Sequence, residues 1–279
     1  MDLGVFFFAT DYSIDIVELA VELEQRGFST LLQPEHTHIP ASRKTPWGAG
    51  EGTLPKEYYN TYDPFVALSF AAAATKTLKV GTGICLVPQR DPIVTAKNVA
   101  SIDKLSGGRF VFGIGGGWNV DEMENHSVEY KTRFKLMREN VMAMKEMWMQ
   151  EQAEFHGEFV DFDPVFSYPK PIQTPHPPII LGGETDHTLK RVVDYCDGWL
   201  PRAKLGFDPV EAKSRLVAMA EGAGRDPSEL SITIFRGPED RAELDKYEAA
   251  GIDTVLLQMP TSDRDTCMQK LEAFTKLVR

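Results

Sequence analysis

Short apolar runs alternate with amphipathic stretches of helical period from one end of the chain to the other, and no other feature restricts the fold as much. Leu3 to Phe8 is apolar throughout; Ile14, Val17, Leu19, Ala20 and Leu23 then recur at helical spacing until Gly27 stops the helix. Further strands are predicted at Phe28 to Gln33, Leu78 to Leu86, Phe110 to Ile114, Ile179 to Leu181, Gly198 to Leu200, Leu230 to Phe235 and Thr254 to Gln258. The matching helices are predicted at about Pro64 to Thr75, Pro92 to Leu105, Lys131 to Met149, Thr185 to Tyr195, Pro209 to Gly222, Glu239 to Ala250 and Arg264 to Leu277. Near-continuous apolar strands, each followed by an amphipathic helix, indicate a parallel sheet covered by helices. Eight such pairs in 279 residues predict one (β/α)8 barrel domain over residues 1–279, rather than an open doubly wound sheet.

Two connections exceed what a turn needs, which places insertions after strands 2 and 4. The first, Glu35 to Tyr62, contains Pro46, Gly48, Gly50, Gly52 and Pro55; it lies on the strand-to-helix side, where barrels carry their chemistry, and is expected to be a mobile lid with few core contacts. The second, Gln150 to Pro178, contains EFHGEFVDF, a glycine turn between aromatic-bearing runs, and is expected to be a surface hairpin with a proline-rich return.

Composition removes whole classes of function. With 42% hydrophobic and 25% charged residues the chain can bury a large core, and a net charge of −11 excludes a general nucleic-acid backbone binder, so an anionic ligand must be held by local donors. The apolar run after Asp2 is far shorter than the roughly 20 residues that span a bilayer and has no basic region before it. No membrane association is expected, and the mature chain is expected to begin at or near Met1 and to be cytoplasmic. Cys85, Cys196 and Cys267 are odd in number and show no C-x-x-C spacing, as in a reducing compartment.

In a barrel the informative residues stand at the carboxyl ends of the strands: EHTH, GTGICLVP, GIGGGWN, LGGETD and GWLPR in turn. Glycine weakens a strand unless backbone must approach something closely, and a flat, phosphate-bearing ligand would explain four glycine-rich ends. Gly182 and Gly183 lead into a helix start, where free N–H groups and the helix dipole favour an anion; the alternative is a plain tight turn. GIGGGW is not a dinucleotide fingerprint, since it follows the fourth strand and has Trp118 where the third glycine is required. His36 and His38 form an H-x-H that on some barrels binds a catalytic metal and makes a hydrolase. No metal is assigned, because LGGETD and GWLPR supply no strand-end histidine to complete a ligand set. His126, His156 and His176 are read as solvated or hydrogen-bonded structural residues, and Trp47, Trp118 and Trp199 as packing residues, the first two on the face where a cofactor would lie.

PEHTHIP, VGTGICLVPQRDPIVTAKNVASIDKLSGGRFVFGIGGGWNVDEM, GEFVDFDPVFSYPKPIQTPHPPIILGG and YCDGWLPR, in that order, resemble the bacterial luciferase-like flavin and deazaflavin oxidoreductase family over nearly the whole chain. The resemblance implies a (β/α)8 barrel carrying either FMN or the deazaflavin coenzyme F420 at the strand ends, a two-electron redox reaction on a small-molecule substrate, and commonly a homodimer. The alanine-rich helix with Ala71, Ala72, Ala73 and Ala74 is then a candidate for close approach across a two-fold axis. Carried over residue by residue, the family's non-proline cis peptide falls at Gly83-Ile84, where with Leu86 it would support one face of the ring. Glu35 and His36 match the acidic-His pair after the second strand. His36 becomes the candidate proton donor, with Glu35 or His38 orienting or charging it. Gly115, Gly116, Gly117, Trp118 and Asp121 match the loop beside the ring and ribityl chain, and Gly182, Gly183, Glu184 and Thr185 the phosphate-binding turn.

Two departures refine the expectation. FMN enzymes of the family place a phosphate-holding arginine where this chain has Gly116, which favours the deazaflavin. Its sugar-phosphate dehydrogenases place a catalytic glutamate where this chain has Trp118, which points away from a sugar-phosphate substrate. The expected activity is hydride transfer between F420 and an unidentified small organic substrate. The alternatives are an FMN-dependent monooxygenase and a non-catalytic cofactor-binding homologue.

Overall fold

The computed structural model describes residues 1–48, 52–204 and 206–279. In chain order the elements are β1 (Asp2–Phe6), α1 (Ile16–Gln25), β2 (Thr30–Gln33), α2 (Glu57–Asn60), α3 (Pro64–Ala74), β3 (Lys79–Cys85), α4 (Pro92–Ser106), β4 (Phe110–Ile114), α5 (Val120–Asn125) and α6 (Arg133–Met149). They continue with β5 (Ala153–His156), β6 (Asp161–Val165), β7 (Ile179–Gly182), α7 (Asp186–Tyr195), β8 (Gly198–Leu200), α8 (Pro209–Gly222), β9 (Ser231–Phe235), α9 (Arg241–Ala249), β10 (Thr254–Gln258) and α10 (Arg264–Thr275). Eight strands close a barrel in the order β1-β10-β9-β8-β7-β4-β3-β2, every neighbouring pair parallel. This is the (β/α)8 architecture the alternation predicts.

Local chemistry explains why the helices start where they do. Seven of them open on a side chain that accepts backbone N–H groups of the first turn: Asp15, Asp63, Asp91, Thr185, Asp208, Asp240 and Asp263. Prolines at the first turn of α3, α4 and α8 have the backbone angle a helix start needs. Part of the acidity of the chain is thus spent on caps, where the helix dipole welcomes it. Alternation along the strands divides the core in two. Phe6, Phe8, Leu32, Ile180, Leu200 and Leu256 form one cluster, whereas Val5, Phe7, Leu31, Phe112, Ile114, Ile179 and Leu181 belong to a second one shared with the helices.

Both insertions are present. EFHGEFVDF is the antiparallel pair of β5 and β6, and Glu139 of α6 accepts the N–H groups of Phe159 and Val160 at its tip. The segment from Glu35 to Tyr62 contains the short helix α2 and is tied at several points, not free of the core as expected: Leu54 is buried, Thr61 bridges to Thr10, and Gln33 donates to the Tyr62 carbonyl. Gly50, counted among its glycines, lies outside the described residues. Among the described residues no helix is long and apolar enough to cross a membrane, and all three cysteines are buried and unpaired.

Candidate functional site

Glu35 and His36 follow the end of β2, and the structure sends these neighbours to different partners. His36 Nδ1 lies 2.7 Å from Glu122 Oε2 of α5, and both side chains are buried. Glu35 instead accepts the Leu86 N–H at 2.7 Å and the Arg90 Nε–H at 2.6 Å, with Arg90 bridging on to Asp63. Its carboxylate therefore holds the chain as it leaves β3. His38 is also turned away, bonded to Thr37 Oγ1 and Asn125, with its ring 5.4 Å from that of His126. The expectation that Glu35 or His38 contacts His36 so as to orient it is corrected: the carboxylate that meets the ring belongs to Glu122. Glu122 is adjacent to Asp121 in sequence, but consecutive helical residues point about 100° apart, so only the fold shows which of the two meets the histidine.

α5 holds the loop after β2 at further points. Asp121 accepts the backbone N–H of Lys44 and both the N–H and hydroxyl of Thr45, and these bonds from Thr45 and then Lys44 lower its carboxyl to about 2. This carboxylate thus fastens the segment. His126, just past α5, bonds Thr37, as the structural reading of that histidine requires.

The peptide Gly83-Ile84 is cis, at the position the resemblance implied, and the β3–β4 register shifts there between Thr82 and Cys85. Ile84 lies between two strand ends: a Cβ at Gly115 would stand 1.9 Å from Ile84 Cδ1, and one at Gly182 would stand 3.3 Å from Ile84 Cγ2. The glycines at these ends make room for the isoleucine. Deeper in the strands, Cβ atoms at Gly81 and Gly113 would meet the carbonyl oxygens of Val111 and Thr82 at 2.2 and 2.0 Å. Protein packing, rather than a flat ligand, therefore accounts for the inner glycines. Leu86 is buried beside Gly117 and contributes its N–H to Glu35.

Aromatic rings surround His36. Tyr58 and Trp118 lie 5.1 and 5.9 Å from it between ring centres, Trp47 and Phe8 pack on Tyr58, and Arg43 sits over Trp118. Tyr58 escaped the sequence reading because it sits on a four-residue helix without a pattern of its own.

The turn Gly182 to Thr185 runs into α7 as expected. Gly183 has φ of 126°, which suits glycine, and its carbonyl accepts the Trp199 indole N–H at 2.6 Å. Thr185 caps α7 by accepting Thr188 N–H, and Glu184 accepts two bonds from Arg202 and one from Lys204. Burial raises the Glu184 carboxyl, but these cations outweigh it and hold it at about 2.

α6 and α7 carry a feature that sequence reasoning missed. A Cβ at Gly116 would stand 2.6 Å from Phe134, and Arg133 and Arg191 each lie over that ring, at 4.2 and 3.8 Å. Arg133 donates to the Tyr130 carbonyl and Arg191 to the His187 carbonyl; among the described residues neither has a carboxylate partner. Burial, with Arg191 nearby, pushes Arg133 below its usual value. It also opens α6, which has no side-chain cap and no acidic residue in its first turn, so its charge faces the positive end of the dipole. Two cations, one from α6 and one from α7, thus lie over the ring that packs beside Gly116. Among the described residues, no three His, Cys, Asp or Glu side chains gather to hold a metal.

The comparisons agree with this architecture. The model of the luciferase-like monooxygenase family matches residues 1–259. The uncharacterized protein Rv0953c of Mycobacterium tuberculosis is 36% identical over 279 residues, covering 98% of this chain and 96% of that protein. The monooxygenase RslO1 of Streptomyces bottropensis superposes with a TM-score of 0.82 at 20% identity, covering 100% of this chain and 98% of the other. The coenzyme F420 dependent tetrahydromethanopterin reductase of Methanopyrus kandleri superposes at 0.74 with 17% identity, covering 99% and 98%. At such identities the two structures speak for the fold.

Proposed function

Since the chain belongs to the luciferase-like monooxygenase family and is an oxidoreductase, we propose that it passes a hydride between coenzyme F420 and a small organic substrate, with His36 as the proton donor or acceptor. The observation that carries this reading is the setting of His36, a buried imidazole clasped by Glu122 and walled by Tyr58 and Trp118 at the barrel mouth. The residues present fit a flat, phosphorylated ring system. Gly115 and Gly182 leave Ile84 standing as a shelf at the strand ends, and the Arg133–Arg191 corner lacks neutralising carboxylates among the described residues. When bound, the deazaflavin supplies a ring carbon that gives or takes hydride, and it lacks the nitrogen through which flavins react with oxygen. The chain supplies orientation, exclusion of water by the aromatic wall, and the proton at His36. Gly83, Ile84, Gly115, Gly116, Gly117 and Trp118 are proposed to line the ring, and Gly182, Gly183 and Thr185, with Arg133 and Arg191, the anionic end.

A second reading, an FMN-dependent monooxygenase, is favoured by the same arginine corner, which suits any phosphorylated flavin. Equilibrium titration of both cofactors decides between them. Tight F420 binding with no saturable FMN binding is expected; micromolar FMN affinity without deazaflavin binding overturns the first reading.

The homodimer is part of the proposal. Val66 and Phe70 on α3, and Ile93, Val94 and Leu105 on α4, are exposed apolar side chains on adjacent helices that a second copy could cover.

A further inference from the structure

We propose that Glu122 is a positioning residue for His36, fixing the imidazole with Nδ1 protonated toward α5 and presenting Nε2 as the nitrogen that exchanges the substrate's proton. This rests on the role proposed above for His36.

The Glu122 carboxylate is wholly buried; Oε2 stands 2.7 Å from His36 Nδ1, and Oε1 has no hydrogen-bond partner among the described residues. Burying a carboxylate is costly unless it is paired, and the imidazole is the partner within reach. An ionised carboxylate only accepts hydrogen bonds, so in this arrangement the ring nitrogen facing it donates. The other acidic and imidazole side chains near by are committed elsewhere: Glu35 to Leu86 and Arg90, and His38 to Thr37 and Asn125. Among the described residues Nε2 makes no bond to protein, and Tyr58 and Trp118 pack against the ring, holding its position but not its proton. Packing is thus divided from tautomer choice: the aromatics place the imidazole, and Glu122 decides which nitrogen is offered. Sequence alone could not show this, because the two residues are 86 positions apart.

The test separates tautomer from activity. In protein labelled with 15N at histidine, long-range proton–nitrogen correlation is expected to show His36 Nδ1 protonated; an unprotonated Nδ1 overturns the proposal. That measurement needs no variant and no substrate, so it stands even if His36 has no catalytic role, which His36→Ala tests separately. In Glu122→Gln the amide can present either oxygen or NH2 to the ring, so loss of the single tautomer is expected. With it, kcat should fall roughly 10- to 100-fold, the range known for the hydrogen-bond partners that orient metal-ligating histidines. KM and cofactor affinity should change less than about twofold, and Glu122→Asp should recover part of the loss, as a carboxylate partner requires. Unchanged kcat in Glu122→Gln, or equal losses in kcat and cofactor affinity, overturns the positioning role.

Discussion

Thr45 is fastened to Asp121 by two hydrogen bonds, from its backbone N–H at 2.9 Å and from its hydroxyl at 2.5 Å. Together with His36 on Glu122 and His38 on Asn125, this bond makes the six-residue helix α5 the clasp for the first part of the loop after β2. In the free protein the amides of Lys44 and Thr45 are therefore expected to exchange slowly, and in Asp121→Ala rapidly. The Asp121 carboxyl titrates at about 2, below its ordinary 3.8. A lowered folded value means that the clasp stabilises fully above about pH 4 and is lost as pH falls through about 2. Hydrogen exchange across that range reads it; protection independent of both pH and Asp121 would refute it.

His36→Ala is expected to lower turnover of an identified substrate by roughly 10²- to 10⁴-fold, the usual worth of a general acid or base. Cofactor affinity should be largely retained. Screening a small-molecule library for oxidation of reduced F420 supplies the substrate, and full turnover by the variant would remove His36 from the chemistry.

Arg133→Ala should weaken binding of the phosphorylated cofactor by about 10- to 100-fold, the range of a hydrogen bond to a charged group. Binding of the dephosphorylated form should change little. Calorimetric titration of both forms, in the wild type and the variant, checks it, and equal loss for the two would place the phosphate elsewhere.

Gly113→Ala puts a Cβ 2.0 Å from the Thr82 carbonyl, in a barrel wall that cannot yield as a side chain would. A loss of about 1–3 kcal/mol or more is expected from overpacking alone. Denaturant unfolding measures it.

Phe70→Glu, on the exposed face of α3, should leave the barrel folded and turn a dimer into a monomer. Light scattering at micromolar concentration distinguishes the two. A wild type already monomeric there would end the dimer proposal.

The element boundaries were largely legible in the residues themselves. Gly198–Leu200, Pro209–Gly222 and Thr254–Gln258 stand where apolar period and turn residues place them, and the glycine turn in EFHGEFVDF does fold the hairpin. Period, capping and turn chemistry act over a few residues, so a single sequence carries them. The strand ends likewise pointed to His36 and to the Gly182–Thr185 turn. What only the tertiary structure decided is who meets whom. Glu122 rather than Glu35 faces His36, Arg133 and Arg191 converge on Phe134, and Ile84 fills the space that Gly115 leaves open. Apart from Arg133, which neighbours Phe134 in sequence, these partners are far apart in the chain and are brought together by barrel closure. Nothing local distinguishes Glu122 from Asp121, so the chemistry of this site was fixed by the closing of the sheet.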